Sequence, residues 1–120
     1  MPSFDHFALP VANYEISRDW YVQVLGLELE FDAAGRRTAA VRDADGLTVF
    51  LYESKAPPEP AAFALWLRVQ DVERMHRELC ERGIAFSHGP QKVEWGYGAE
   101  LRDPTGYRIC LWDERTMPKS

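Results

Sequence analysis

The chain has 120 residues, of which 46% are hydrophobic and 28% are charged, and its formal net charge is -5. This length suits one compact domain or two small modules that share a core, and the composition is ordinary for a soluble globular protein. The acidic balance argues against a nucleic-acid partner, and no apolar run is long enough to span a bilayer. The first residues lack the basic and apolar regions of a signal peptide, so we expect a cytoplasmic location with reduced thiols at Cys80 and Cys110.

The first half of the chain predicts one helix among four strands. Asn13 is a favourable N-cap, and Gly26 ends the helix that it begins. Ile16, Trp20 and Val24 recur every four residues and predict the apolar stripe of that helix. Alternating apolar and polar residues predict the strands, at residues 4–11, 27–31, 37–42 and 47–53.

A stretch with three prolines, residues 55–62, predicts a semi-rigid linker before a second half with the same order of elements. Asp71 begins a helix that runs to Arg82, with an inner face predicted to hold Val72, Met75, His76, Leu79 and Cys80. Strands are predicted at residues 63–69, 84–87, 97–102 and 107–112, and the three glycines of residues 89–98 indicate a loop.

One turn-and-strand motif occurs twice. Residues 43–53 read DADGLTVFLYE and residues 103–113 read DPTGYRICLWD, which aligns Gly46 with Gly106 and Glu53 with Asp113. Both halves therefore predict the order β-α-β-β-β and an α+β fold. Because one helix covers only one face of a four-stranded sheet, we expect the two sheets to curve round a shared groove, with the helices outside.

Strand alternation assigns side chains to the two faces of each predicted sheet. One set should pack under the helices: Phe7, Leu9, Val49, Leu51, Leu65, Leu67, Ile109 and Leu111. The opposite set comprises His6, Ala8, Thr48, Phe50, Tyr52, Ala64, Trp66, Arg68, Glu100, Arg108, Cys110 and Trp112. Large aromatic side chains among a few polar groups are typical of a small-molecule groove.

Five segments of the sequence resemble the vicinal oxygen chelate superfamily, the glyoxalase, bleomycin-resistance and extradiol-dioxygenase group, which is built from paired βαβββ modules. They are HFALPV (6–11), WYVQVLGLE (20–28), RVQDV (68–72), ERGI (81–84) and DPTGYRICLW (103–112). The resemblance implies a single domain over residues 1–120. Its first module covers about 3–54 and its second about 63–114.

Metal-dependent members of this superfamily place ligands at four inward positions, which are here His6, Phe50, Ala64 and Cys110. Phe50 and Ala64 have no donor atom, so the resemblance implies neither a metal nor another cofactor. A register slip of one residue would bring Tyr52 or Glu53 into the site, but it would also turn the Leu51 core outward.

The bleomycin-resistance branch of the superfamily consists of binders that hold a flat ligand between aromatic faces, in crevices at a dimer interface. Residues 94–106, EWGYGAELRDPTG, resemble the tryptophan-glycine stretch of that branch. The resemblance implies a homodimeric, metal-independent antibiotic-resistance protein with no nucleic-acid or membrane partner, and no residue is predicted to be catalytic. The predicted ligand-binding residues are His6, Phe50, Tyr52, Trp66, Arg68, Trp95, Tyr97, Glu100, Arg108, Cys110 and Trp112.

Other interpretations of the same residues stay open. The protein is alternatively a lyase, isomerase or dioxygenase-like enzyme that uses a divalent metal or an acid–base pair of His6 and Glu100. It is also compatible with a non-catalytic dimeric module whose tryptophans fill the groove. Trp95 and Tyr97 form either a movable lid or a static turn. Cys110 is a reactive thiol only if a positive neighbour stabilises its thiolate, and the charge of the ligand is undetermined.

Overall fold

Eight β-strands and two α-helices follow one another as β-α-β-β-β twice within residues 1–93 and 96–114, the part of the chain described by the computed structural model. The first half contains β1 (His6–Val11), α1 (Tyr14–Gln23), β2 (Glu28–Ala33), β3 (Thr38–Arg42) and β4 (Thr48–Glu53). The second half contains β5 (Ala64–Arg68), α2 (Val72–Glu81), β6 (Phe86–Val93), β7 (Gly96–Arg102) and β8 (Arg108–Asp113). The chain divides after Pro58 into two compact units, called unit 1 and unit 2 below.

The two units share one sheet topology. The strand order is β1-β4-β3-β2 in unit 1 and β5-β8-β7-β6 in unit 2. In each sheet the first strand of the unit runs parallel to the last, and the other pairs are antiparallel. The predicted α+β class and the paired βαβββ modules are therefore confirmed.

In both units the first aspartate of the repeated turn accepts backbone N–H groups of the residues that follow it. Asp103 accepts through Oδ1 the backbone N–H groups of Thr105, Gly106 and Tyr107, at 3.0, 2.9 and 2.8 Å. In unit 1, Asp43 accepts two such bonds at 3.0 and 2.9 Å. Gly106 has a φ of +107°, in the region where a side chain would be strained, as the turn signature predicts.

Each helix begins with two acceptors that the repeat places in equivalent positions. Asn13 accepts the N–H of Ile16 at 3.0 Å, and Asp71 accepts that of Arg74 at 3.0 Å, as predicted for N-caps. The acidic residue at the end of the last strand accepts the first N–H of the helix: Glu53 accepts that of Tyr14 at 3.2 Å, and Asp113 that of Val72 at 2.9 Å. The side chain of Glu53 therefore caps α1. This rules out the one-residue register slip that would have placed Glu53 in the site on the opposite face.

The predicted core is largely confirmed in both sheets. Leu9, Leu51, Ile109 and Leu111 are buried. Val49, Leu65 and Leu67 are half-buried. Phe7 does not belong to the core, because it lies on an edge strand, is 46% exposed and packs against Phe4 with ring centroids 5.7 Å apart.

The predicted stripe of the first helix is confirmed at Val24, which is buried, and is wrong at Ile16, while Trp20 is half-buried. Tyr14, Ser17 and Tyr21 form the buried face of α1, whereas Ile16 is 56% exposed. A spacing of three and then four residues keeps the buried set on one side, but a polar serine in its middle hides it from a hydropathy pattern. On α2, Val72 and Leu79 are buried as predicted.

Two further predictions for unit 2 fail. Cys80 was assigned to the inner face of α2 but is exposed. Within the loop predicted at residues 89–98, residues 89–93 belong to β6 and residues 96–98 belong to β7. Among the described residues, no helix is both long and apolar enough to cross a membrane.

Candidate functional site

A β-bulge at the same place in each unit turns one extra side chain away from the helix. The register shifts between Leu29 and Phe31 in β2, and between Phe86 and His88 in β6. Past the shift, Phe31 pairs with Ala40 and His88 pairs with Glu100. We call the sheet face away from the helix the open face of each unit, and both bulges add a side chain to it.

The open face of unit 1 has an aromatic patch made of His6, Phe31 and Phe50. The His6 ring stacks on Phe50 with centroids 4.1 Å apart and planes at 21°, and Phe31 meets Phe50 edge-on at 5.2 Å and 89°. The Nδ1 atom of His6 lies 2.8 Å from Oδ2 of Asp5. Tyr52 lies on the same face and is exposed. This patch offers ring faces and edges for stacking.

The open face of unit 2 contains a shallow pocket of about 190 Å³. It is lined by Trp66, His88, Val93, Gly98, Ala99, Glu100, Arg108, Cys110 and Leu111. Trp66 is 48% exposed, so one large ring is available to solvent. A Cβ atom at Gly98 would lie 2.7 Å from the carbonyl oxygen of Leu111, so only glycine allows the strands to approach at this point.

Glu100 is the charged centre of this pocket. Its Oε1 accepts Nε and Nη2 of Arg108 at 3.1 and 2.9 Å, and its Oε2 lies 3.9 Å from Nε of Arg102. Burial alone would raise the pKa of Glu100, but the hydrogen bond and charge of Arg108 outweigh it and leave the pKa below its ordinary value. Glu100 is therefore ionised at neutral pH.

Cys110 lies beneath Glu100 as a neutral thiol. The side chain is buried, and its Sγ donates to Oε1 of Glu100 at 3.6 Å. Burial, and secondarily the charge of Glu100, raises the pKa of Cys110 to about 11. The raised pKa argues against the alternative of a thiolate stabilised by Arg108, because the charge of Arg108 lowers the pKa of Cys110 by less than burial and Glu100 raise it.

The comparisons with known proteins agree with this architecture. A family model described as the Glyoxalase/Bleomycin resistance protein/Dioxygenase superfamily matches residues 3–111. The chain belongs to this superfamily. The resemblance inferred from the five sequence segments is thereby confirmed.

Solved structures of this superfamily include two relatives with about a third of residues identical. TnmS3, an antibiotic binding protein from a Streptomyces species, is 30% identical with a TM-score of 0.79, and the match covers 94% of this chain and 96% of that protein. A glyoxalase/bleomycin resistance protein from the same strain is 31% identical with a TM-score of 0.71, covering 91% and 98%. A possible glyoxalase from Bacillus cereus, 22% identical with a TM-score of 0.79, covers 93% and 99% and shows the fold alone. The search of curated proteins found no match.

The four positions that bind metal in other superfamily members do not fit a metal ion here. Phe50 is stacked on His6, and Cys110 is a protonated thiol beside Glu100. Ala64 contributes a methyl group only. Within residues 1–93 and 96–114, no three His, Cys, Asp or Glu side chains form a group that could hold a metal ion.

The structure places the predicted ligand-binding residues in several locations. Trp66, Glu100, Arg108 and Cys110 meet in the unit 2 pocket, whereas His6, Phe50 and Tyr52 lie on the open face of unit 1. Trp112 is half-buried on β8, and Arg68 pairs with Glu114 at 2.6 Å. Tyr97 faces α2 and donates to Glu73 at 2.7 Å, on the side opposite Glu100, and Trp95 lies outside the described residues.

Sequence reasoning missed His88 and Phe31 on the open faces. Simple alternation puts Phe86 and His88 on one face, but the bulge separates them: Phe86 meets His76 of α2, while His88 lines the pocket. The available signal was that His88 precedes a glycine and a proline, where strand geometry is often irregular.

Proposed function

We propose that this protein binds and sequesters a planar, partly apolar small molecule without using a metal ion. The observation that carries the proposal is the unit 2 pocket, where a half-exposed indole lies beside an ionised carboxylate that is only 12% exposed. Such a combination of one large apolar surface with a few fixed polar groups is what small-molecule sites generally require. The aromatic patch of unit 1 supplies a second surface on which a flat ring can stack.

Stacking supports a planar ligand in particular. Offset or edge-on aromatic pairs contribute about 0.5–1.5 kcal/mol beyond the burial of their area. Trp66 is paired with no other ring among the described residues, so its exposed surface is available for that contact. Glu100 and Arg108 beside it form an ion pair, so they can orient a ligand without demanding an opposite net charge.

One relative supports binding in particular. TnmS3 is an antibiotic binding protein, whereas the description of the second Streptomyces relative, glyoxalase/bleomycin resistance protein, covers both an enzyme and a binder. We extend the binding activity of TnmS3 to this chain because the two match over nearly their whole lengths.

A homodimer is part of this proposal. Binders of this branch place their crevices at a dimer interface, and large apolar side chains stay exposed on this chain, among them Phe4, Phe7, Leu29 and Phe63. Native mass spectrometry of the purified protein, with nothing added, measures the subunit count, any bound metal and any co-purified organic molecule together. We expect a dimer without stoichiometric metal, and about one transition-metal ion per site would contradict the proposal.

Binding itself is tested with a panel of planar aromatic compounds and tryptophan fluorescence. The Trp66→Ala variant should weaken binding by about tenfold or more, the size expected when a stacked ring is lost. Phe63→Ala is the matched control, because Phe63 is 46% exposed but packs on Tyr107 outside the pocket. Saturable binding that Trp66→Ala leaves unchanged, or no binding at all, would refute the proposal.

A further inference from the structure

The ring of His88 is held in one tautomer. Its Nδ1 lies 2.8 Å from the carbonyl oxygen of Gly89. A carbonyl oxygen can only accept, so in the neutral ring Nδ1 carries the hydrogen and Nε2 carries the lone pair. No other described residue forms a hydrogen bond with the imidazole ring of His88. The pocket therefore contains a hydrogen-bond acceptor at Nε2.

Glu100 contributes a second acceptor. Three donors share its Oε1, two from Arg108 and one from Cys110. Its Oε2 has Arg102 at 3.9 Å, which is beyond hydrogen-bonding distance, and no hydrogen bond to a described residue. The side chain is only 12% exposed, so a ligand reaching Oε2 meets an oxygen that is largely shielded from water.

These two acceptors lie next to each other. His88 and Glu100 are directly paired across β6 and β7, and the bulge puts both on the open face. Side chains of directly paired residues in antiparallel strands have Cβ atoms about 4.5–5.5 Å apart. The two groups therefore present acceptors to one region of the pocket and no donor of their own. The charge of Glu100 is balanced by Arg108 and Arg102.

We propose that His88 and Glu100 recognise a neutral hydrogen-bond donor on the rim of the ligand, a hydroxyl or an N–H group attached to the ring that stacks on Trp66. This inference rests on the proposed function and names the polar group that the ligand must carry. An anionic group is rejected because it would place a third set of lone pairs against two acceptors. A cationic group would gain little binding free energy, because the guanidinium groups of Arg102 and Arg108 already neutralise the Glu100 carboxylate.

Four probes with one ring system test this inference: 2-naphthol, 2-methoxynaphthalene, 2-naphthoate and 2-naphthylmethylammonium. Isothermal titration calorimetry and quenching of tryptophan fluorescence measure their affinities for the full chain. We expect 2-naphthol to bind at least about tenfold more tightly than 2-methoxynaphthalene. This factor corresponds to one hydrogen bond to a charged or fixed acceptor, which the methoxy compound cannot donate. The naphthoate should bind most weakly, and the ammonium compound should not exceed 2-naphthol.

Two substitutions assign the preference to these residues. His88→Phe keeps a flat ring but removes the acceptor, so 2-naphthol should fall to about the affinity of 2-methoxynaphthalene while the latter is unchanged. Glu100→Gln replaces one acceptor oxygen by a donor and should reduce the same preference. His76→Phe is the control, because His76 lies on the helix side and contacts Phe86.

The outcomes separate this inference from the proposed function. Binding that depends on Trp66 but does not distinguish 2-naphthol from 2-methoxynaphthalene overturns the inference alone. A tighter complex with the ammonium compound, abolished by Glu100→Gln, overturns it in favour of charge recognition. Failure of all four probes to bind in a Trp66-dependent manner overturns the proposed function, and this inference with it.

Discussion

Asp103 should be far more important for stability than Asp43, although the two residues occupy equivalent turns. Asp103 is 5% exposed, and its three backbone donors include the N–H of the buried Tyr107. The two donors of Asp43 belong to exposed backbone that water reaches when the carboxylate is removed. Alanine at position 103 leaves the buried N–H of Tyr107 without its side-chain acceptor, whereas alanine at position 43 affects only exposed N–H groups.

The size of the difference follows from these contacts. A hydrogen bond to a charged group contributes about 1.5–3 kcal/mol net, but three bonds to one oxygen do not add independently. We therefore expect Asp103→Ala to lower the free energy of unfolding by about 3 kcal/mol and Asp43→Ala by about 1 kcal/mol. Asp103→Asn retains an acceptor oxygen, so its loss should be intermediate.

Urea unfolding followed by far-UV circular dichroism measures this comparison. With a slope of about 1–3 kcal/mol per molar urea, the midpoint of Asp103→Ala should fall by roughly 1–3 M. The midpoint of Asp43→Ala should fall by less than half as much. Equal shifts for the two alanine variants would show that the burial of the donors does not determine the cost, and would refute this reasoning.

Three other predictions concern single side chains. Ser17→Ala should raise the free energy of unfolding by about 1 kcal/mol in a melt, because its buried hydroxyl has no hydrogen-bond partner within the described residues; destabilisation would contradict this. Iodoacetamide should label Cys80 much faster than Cys110, since Cys80 is exposed and burial raises the pKa of Cys110 to about 11. Peptide mass spectrometry measures the two labelling rates, and faster labelling of Cys110 would contradict this prediction. Arg37 lowers the pKa of Glu53, so Glu53→Gln should be less stable than wild type above the ordinary carboxyl pKa of about 4.3. That difference should vanish as the pH falls through the lowered pKa, and a constant difference down to low pH would argue against the ion pair.

The repeat made most of the fold predictable from the sequence. Aligning Gly46 with Gly106 and Glu53 with Asp113 located both turns and both last strands, and strand alternation then gave the buried Leu51 and Leu111. These features depend on local turn chemistry and on a period of two residues, which a sequence displays directly.

The candidate site was only partly predictable, because a bulge interrupts the period of two. Trp66 and Glu100 were placed correctly on the open face, since β5 and β7 are regular where these residues lie. His88 was missed because one extra residue in β6 reverses the side on which it lies. Tyr97 was grouped with a predicted glycine loop, but it belongs to β7 and faces α2.

The bulge has the same backbone position in both units, but the side chain that it turns outward differs in chemistry. It turns a phenylalanine outward in unit 1, at Phe31, and a histidine outward in unit 2, at His88. One protein thus contains two versions of the same structural position, one apolar and one polar, on a scaffold that tolerates both. A combinatorial library confined to residues 31 and 88 should therefore change ligand preference while leaving most members folded, which makes this pair of positions the natural starting point for redesigning the protein.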